Sequence, residues 1–198
     1  MRIFCAVDLP DDVRAQVAAH ISRLREAAVT TAASPSKISW ERAEKLHLTL
    51  KFLGELEAAR IEALSRAAKR VAESVEKFTL TLAEAGAFPP NGNPRVLWLG
   101  LRDETKQLAA LHERLEEECA RENFPREARA FHPHITLARI RIPNAAPARH
   151  LAKQHRETNF EPATFNVHEL IVMQSQLGAG GSRYTPLSKH ELKAEVGG

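Results

Sequence analysis

Apolar residues recur along the chain at two periods, and the switches between them mark its elements. Residues 2–9, RIFCAVDL, place Ile3, Cys5, Val7 and Leu9 on one parity, which predicts a strand with one buried face. Pro10 ends it. Asp11 or Asp12 can then cap a helix in which Val13, Val17, Ile21 and Leu24 recur at helical spacing to about Ala28. Thr30 to Ser36 reads as a loop. In LHLTLKFL, residues 46–53, Leu46, Leu48, Leu50 and Phe52 share one face and His47, Thr49 and Lys51 the other, with Gly54 closing the strand. Ile61, Leu64, Ala68, Val71 and Val75 form a second helical stripe, followed by the alternating Phe78, Leu80 and Leu82. FPPNGNP, residues 88–94, predicts a turn or loop.

The second half uses the same vocabulary. Val96 to Leu101 is a strand candidate, and Leu108, Leu111, Leu115 and Cys119 define a third helix. HITLARI, residues 134–140, is another strand, and Pro147 suits the first turn of a helix reaching Arg156. Strands are expected over Thr164 to Met173 and, after GAGG at residues 178–181, over Arg183 to Leu187. Helices alternating with short, half-buried strands predict an α+β fold with largely antiparallel sheets. His47-Leu-Thr49-Leu and His134-Ile-Thr136-Leu are one tetrapeptide pattern repeated 87 residues apart, which points to two lobes of similar make-up.

Composition narrows the class. The chain has 198 residues, 43% hydrophobic and 27% charged, a globular balance that excludes a disordered tail, a collagen-like fibre and a disulfide-knotted peptide. No stretch approaches about 18 uninterrupted apolar residues, and Asp8 interrupts the opening apolar run, so neither a membrane helix nor a signal peptide is expected. Cys5 and Cys119, without CxxC or metal-ligand spacing, fit small buried hydrophobes in a reducing cytoplasm. A net charge of +3 is weak by itself, but its placement is informative: residues 121–156 hold 8 Lys+Arg against 2 Asp+Glu, while residues 1–120 hold 17 against 18. This excess runs from Arg121 to Arg156 and brackets the second His-x-Thr pattern.

Side chains at i and i+2 on a strand point to one face, about 6.5–7 Å apart. Each motif therefore offers an imidazole beside a hydroxyl, while Leu48 or Ile135 anchors the other face. Two such strands side by side would line one cleft suited to a phosphodiester. One histidine can take a proton from the attacking water or hydroxyl, the other can protonate the departing oxygen, and the threonines can donate to the non-bridging oxygens.

LHLTLKFLGE (46–55), GAFPPNGNPRVLWLG (86–100) and FHPHITLAR (131–139) resemble the two-histidine phosphoesterase superfamily, specifically its bacterial and archaeal RNA 2',3'-cyclic phosphodiesterases, first described as 2'-5' RNA ligases. RIFCAVDLP and SQLGAGGSRYTPL (175–187) fit the same pattern, so the resemblance spans nearly the whole chain. It implies one bilobal α+β domain over residues 1–198 with pseudo-twofold symmetry. Two largely antiparallel sheets would be flanked by helices, with the cleft between the lobes and the HxTx motifs at 47–50 and 134–137. It also implies metal-independent hydrolysis, without a cofactor, of a terminal RNA 2',3'-cyclic phosphate to a 2'-phosphate. In that scheme His47 is the proton donor to the leaving 3'-oxygen and His134 the proton acceptor from water. Thr49 and Thr136 bind the phosphate, and reversal gives ATP-independent 2'-5' ligation. A cytoplasmic monomer acting on RNA cyclic-phosphate ends or nucleotides is expected.

Arg139 belongs to that motif and is an obvious phosphate partner. Strict alternation, however, puts it on the opposite parity from His134 and Thr136, so either the strand ends or bulges after Leu137 or Arg139 is structural. His132 shares parity with His134, yet no Cys, Asp or Glu at ligand spacing joins them, and no metal is expected. Among Trp40, Trp98, Phe131 and Tyr184, Phe131 is the best candidate for stacking on a base, and Trp98 is assigned to the core. His20, His112, His150, His155, His168 and His190 are read as surface residues. GAGG lacks the features of a nucleotide-phosphate loop, so ATP or NAD dependence is not expected. Two alternatives stay open: a related phosphodiesterase on small cyclic nucleotides or 2'-5' oligonucleotides, and a non-catalytic RNA-end binding module.

Overall fold

A computed structural model of the chain describes residues 1–30, 37–143, 145–178 and 181–194. Most of the expected loop at 30–36 and the middle of GAGG, residues 179–180, lie outside this range. The described elements run β1 (Arg2–Asp8), α1 (Asp11–Thr30), β2 (Ile38–Trp40), β3 (His47–Glu55), α2 (Ala58–Ser74), β4 (Phe78–Phe88), β5 (Val96–Arg102), α3 (Gln107–Arg121), β6 (His134–Ile140), α4 (Ala145–Glu157), β7 (Ala163–Val167), β8 (Glu169–Gly178) and β9 (Gly181–Glu191), with a 3-10 turn over Ala43–Lys45.

The helices form where the apolar stripes lie. α2 buries Leu64, Ala68 and Val71, α3 buries Leu108, Leu111, Leu115 and Cys119, and α4 buries Ala148, Leu151 and Ala152. Asp103 satisfies the start of α3, its Oδ1 accepting the Gln107 N–H at 3.1 Å and its Oδ2 the Leu108 N–H at 2.8 Å.

The strands form one antiparallel sheet in the order β7-β4-β5-β6-β3-β1-β8-β9, with β2 also paired to β6. From its centre outward this order is symmetric: β3-β1-β8-β9 on one side answers β6-β5-β4-β7 on the other. The expected α+β pseudo-twofold architecture is present, and its two sheets meet as halves of one continuous sheet at a single rung, Leu48 opposite Ile135. α2 packs on β8 and β9, and α4 on β4, so each covers its own half. The other two helices exchange. α1 leaves β1 and packs on β7 and α4 across the molecule, while α3 leaves β5 and packs on β3 and α2.

Three expectations need correction. Thr164 to Met173 is not one strand, because the chain breaks at His168 and passes from the edge of one half to the interior of the other. β1 is buried on both faces: Phe4 and Ala6 are as covered as Ile3, Cys5 and Val7. His20 and His155, read as surface residues, are both 0% exposed. The Arg23 guanidinium donates to His20 Nδ1 (3.3 Å), so His20 Nε2–H donates to His155 Nδ1 (3.4 Å) and His155 Nε2–H to the Trp98 carbonyl (2.9 Å). This relay accounts for two buried imidazoles, each in its neutral form.

Candidate active site

Leu48 and Ile135 are fully buried at the rung that joins β3 to β6. The residues flanking them, His47, Thr49, His134 and Thr136, lie half-buried on the opposite face, so the period-two argument holds for both motifs. His47 Nδ1 lies 2.6 Å from the Lys45 carbonyl oxygen and His134 Nδ1 lies 2.7 Å from that of His132. A carbonyl only accepts, so each Nδ1 carries a hydrogen and each Nε2 is left as the ring atom able to exchange a proton. His47 Nε2 sits 3.0 Å from Thr49 Oγ1.

Beyond each motif the alternation breaks at the same place. Lys51 pairs with Cys5 while Thr49 pairs with Ala6, so Leu50 is an extra residue in β3. Ala138 pairs with Leu97 while Thr136 pairs with Trp98, so Leu137 is an extra residue in β6. Each is a β-bulge, and each reverses which residues face the cleft. In β3 this overturns the strict alternation: Lys51 is 4% exposed on the helix side, and Phe52 is 62% exposed on the histidine side. In β6 it resolves the parity of Arg139, which joins His134 and Thr136 on their face. The carbonyl of the bulged Leu137 accepts the Glu41 N–H at 2.8 Å.

Aromatic rings frame both histidines. His47 lies 4.9 Å from the Phe4 ring and 5.1 Å, edge-on, from Tyr184. His134 meets Phe88 edge-on at 5.2 Å, with Trp98 at 6.3 Å. Trp98 therefore belongs to the cleft face rather than the core. Its ring lies over Gly86, where any Cβ would collide with the indole. A recess of about 200 Å³ opens beside His47, with Asp8, Leu46, Met173 and Tyr184 in its wall.

Burial lowers both histidine pKa values. For His47 it outweighs the opposing bond to the Lys45 carbonyl and the nearby Asp8 carboxylate. For His134 it outweighs the bond to the His132 carbonyl. The positive charge of Arg139 lowers both further. Burial raises Glu41, against the pull of Arg139, whose Nε lies 4.0 Å from Glu41 Oε1.

The motif residues and Arg139 thus share one face. Phe131 does not join them through its ring, which is stacked on His112 of α3 at 3.9 Å and packs against the core. Nor does the basic segment act as one patch: Arg121 pairs with Glu118, Arg129 with Glu127 and Lys153 with Glu157. Sequence reasoning missed Phe52, Phe4, Asp8 and Glu41. Only Asp8 carried a usable signal, as a charge ending an apolar strand. Among the described residues no three or more His, Cys, Asp or Glu side chains gather as a metal-binding group.

The family model for the 2'-5' RNA ligase superfamily matches residues 10–179. The RNA 2',3'-cyclic phosphodiesterase of Escherichia coli K12 is 36% identical over 199 residues, covering 96% of each chain. That of Archaeoglobus fulgidus is 31% identical, covering 96% of this chain and all of the relative. Among solved structures, TT0787 of Thermus thermophilus aligns with a TM-score of 0.73 at 29% identity over 98% of this chain and 100% of its own. Escherichia coli LigT complexed with 3'-AMP aligns at 0.71 and 33% identity, over 96% of this chain and 97% of its own. With the family match running through both His-x-Thr strands, the chain belongs to the 2'-5' RNA ligase superfamily.

Proposed function

We propose that the chain hydrolyses the terminal 2',3'-cyclic phosphate of RNA to a 2'-phosphomonoester, without a metal, using His47 and His134 as acid and base. His134 Nε2 takes a proton from water as the water oxygen bonds to phosphorus. His47 Nε2–H gives a proton to the 3'-oxygen as its bond to phosphorus breaks. Thr49 and Thr136 donate to the non-bridging oxygens, and the Arg139 guanidinium balances the charge that builds on them. With an RNA 5'-hydroxyl in place of water as the nucleophile, the same transfers in the same direction give a 2'-5' linkage without ATP, as the new oxygen–phosphorus bond replaces the one to the 3'-oxygen. Phe52, a large apolar ring left exposed on this face, is the surface on which the terminal base stacks.

The observation that carries this reading is the matched pair of imidazoles, each tied through Nδ1 to the carbonyl two residues upstream. The relatives named RNA 2',3'-cyclic phosphodiesterase supply the substrate class. The test is hydrolysis of an oligoribonucleotide with a 2',3'-cyclic end in the presence of EDTA. Full turnover to a 2'-phosphate is expected. His47→Ala and His134→Ala should each lower kcat by about 10²–10⁴ while the RNA end still binds. Loss of activity in EDTA, a 3'-phosphate product, or parental turnover in either variant would reject the mechanism.

A further inference from the structure

The bulge at Leu50 turns Lys51 away from the cleft to the helix side of the sheet. There its Nζ donates to Glu116 Oε1 of α3 at 2.6 Å and to the Pro125 carbonyl at 2.9 Å. The other oxygen of Glu116 accepts the Glu127 N–H at 3.1 Å. Pro125 and Glu127 belong to residues 122–133, which contain no helix or strand and lead straight into His134. The same segment is pinned on either side. Arg60 donates to the Glu122 carbonyl at 2.7 Å and lies 4.2 Å above the Phe124 ring, and Phe131 stacks on His112.

Two facts give this pair its meaning. The ladder between the motif strands is one rung long, so the alignment of His134 with His47 needs support from elsewhere. A buried ion pair is also a weak stabiliser, since desolvating both charges offsets their attraction. An apolar pair would fill the same volume, but it could not hold a carbonyl and an amide of the approach segment. Cys5, Cys119 and His112 neighbour the pair, and burial shifts each of them toward its neutral form.

We propose that Lys51 and Glu116 are positioning residues that tie the approach to His134 to the strand carrying His47, and so set the separation of the two proton-transfer groups. They act in this way only if His47 and His134 are the acid and base proposed above.

Glu116→Gln offers one oxygen where two are used, and Lys51→Met/Glu116→Leu removes both charges at similar volume. Both should fold with a single thermal transition. On the oligoribonucleotide with a 2',3'-cyclic end, kcat should fall about 10- to 100-fold with KM within about threefold, the signature of misplaced groups rather than lost binding. Amide exchange at Glu127 should be slow in the parent protein, despite its irregular segment, and at least about tenfold faster in the variants. Fast exchange at Glu127 in the parent overturns the tether whether or not any variant folds. Parental kcat in a folded variant, or lost activity with parental Glu127 protection, overturns it too. A parent protein inactive on the cyclic phosphate would instead reject the acid–base mechanism, and the Glu127 measurement would still decide the tether.

Discussion

Two main-chain carbonyls, those of Lys45 and His132, determine how the cleft histidines can work. By accepting from Nδ1 they hold both rings in one tautomer and leave Nε2 to exchange protons. Because burial lowers both pKa values, the free protein should work at lower pH than ordinary imidazoles would allow. His134, the proposed base, is competent above its pKa, so the acid limb moves down. His47, the proposed acid, is competent below its own, so the alkaline limb arrives early. The kcat/KM profile should peak below about pH 6.5. Bound phosphate, an anion, favours the imidazolium, so the kcat profile should extend to higher pH than that of kcat/KM. A kcat/KM maximum near about pH 8 in steady-state assays would contradict these assignments. The four motif residues were legible because i and i+2 share a strand face whatever surrounds them. Phe52 was not, because its exposure depends on a backbone irregularity that hydrophobic patterning does not encode.

At the scale of the element, bulges decide which residues face the cleft. Leu50 and Leu137 occupy the same place in the two motifs, and each is the last apolar residue before the parity reverses. After Leu50 the reversal brings Phe52 to the cleft, and after Leu137 it brings Arg139. Arg139→Gln should therefore lower kcat/KM by about 10², the scale of losing one stabilising donor. Its side chain is 54% exposed, so the melting temperature should barely move. Arg141→Gln, beyond the end of β6, should have a smaller effect on kcat/KM. Equal effects of the two in parallel assays would mean that only bulk positive charge matters. The positions of α1, α2 and α3 were legible from their apolar stripes, and that of α4 from Pro147 in its first turn. β2 was not, since three residues carry too little periodicity to register, and the break at His168 was hidden because only His168 and Glu169 separate the apolar positions of β7 from those of β8.

Across the whole molecule, symmetry is combined with exchange. The repeat of two tetrapeptides foretold matching halves, but no local pattern could reveal that α1 and α3 each cross to the half they did not come from. His20 on α1 and His155 on α4 clamp one of these crossings onto the Trp98 carbonyl, and so onto the strand beside His134. Burial holds His20 down to a pKa of about 4, against about 6.5 in an unfolded chain. A depressed folded-state pKa means that the unfolded chain binds the proton first as pH falls. Stability from this source should thus be complete above about pH 6.5, decline toward about pH 4 and level off below it. His20→Gln should flatten that part of the melting-temperature profile and cost about 1–3 kcal/mol at neutral pH through the broken relay. An unchanged slope in scanning calorimetry would assign the acid sensitivity elsewhere.

The place of β1 in the sheet reaches beyond catalysis, to the order in which the protein can be made. β1 leaves the ribosome well before β8, yet it lies between β3 and β8, so one of its edges waits for residues 171–175. Until then Ile3 to Val7 form a half-paired apolar strand, open to the wrong neighbour. Contacts so far apart in sequence slow folding and lengthen that exposure. A newly made chain is therefore most exposed to aggregation just before β8 arrives.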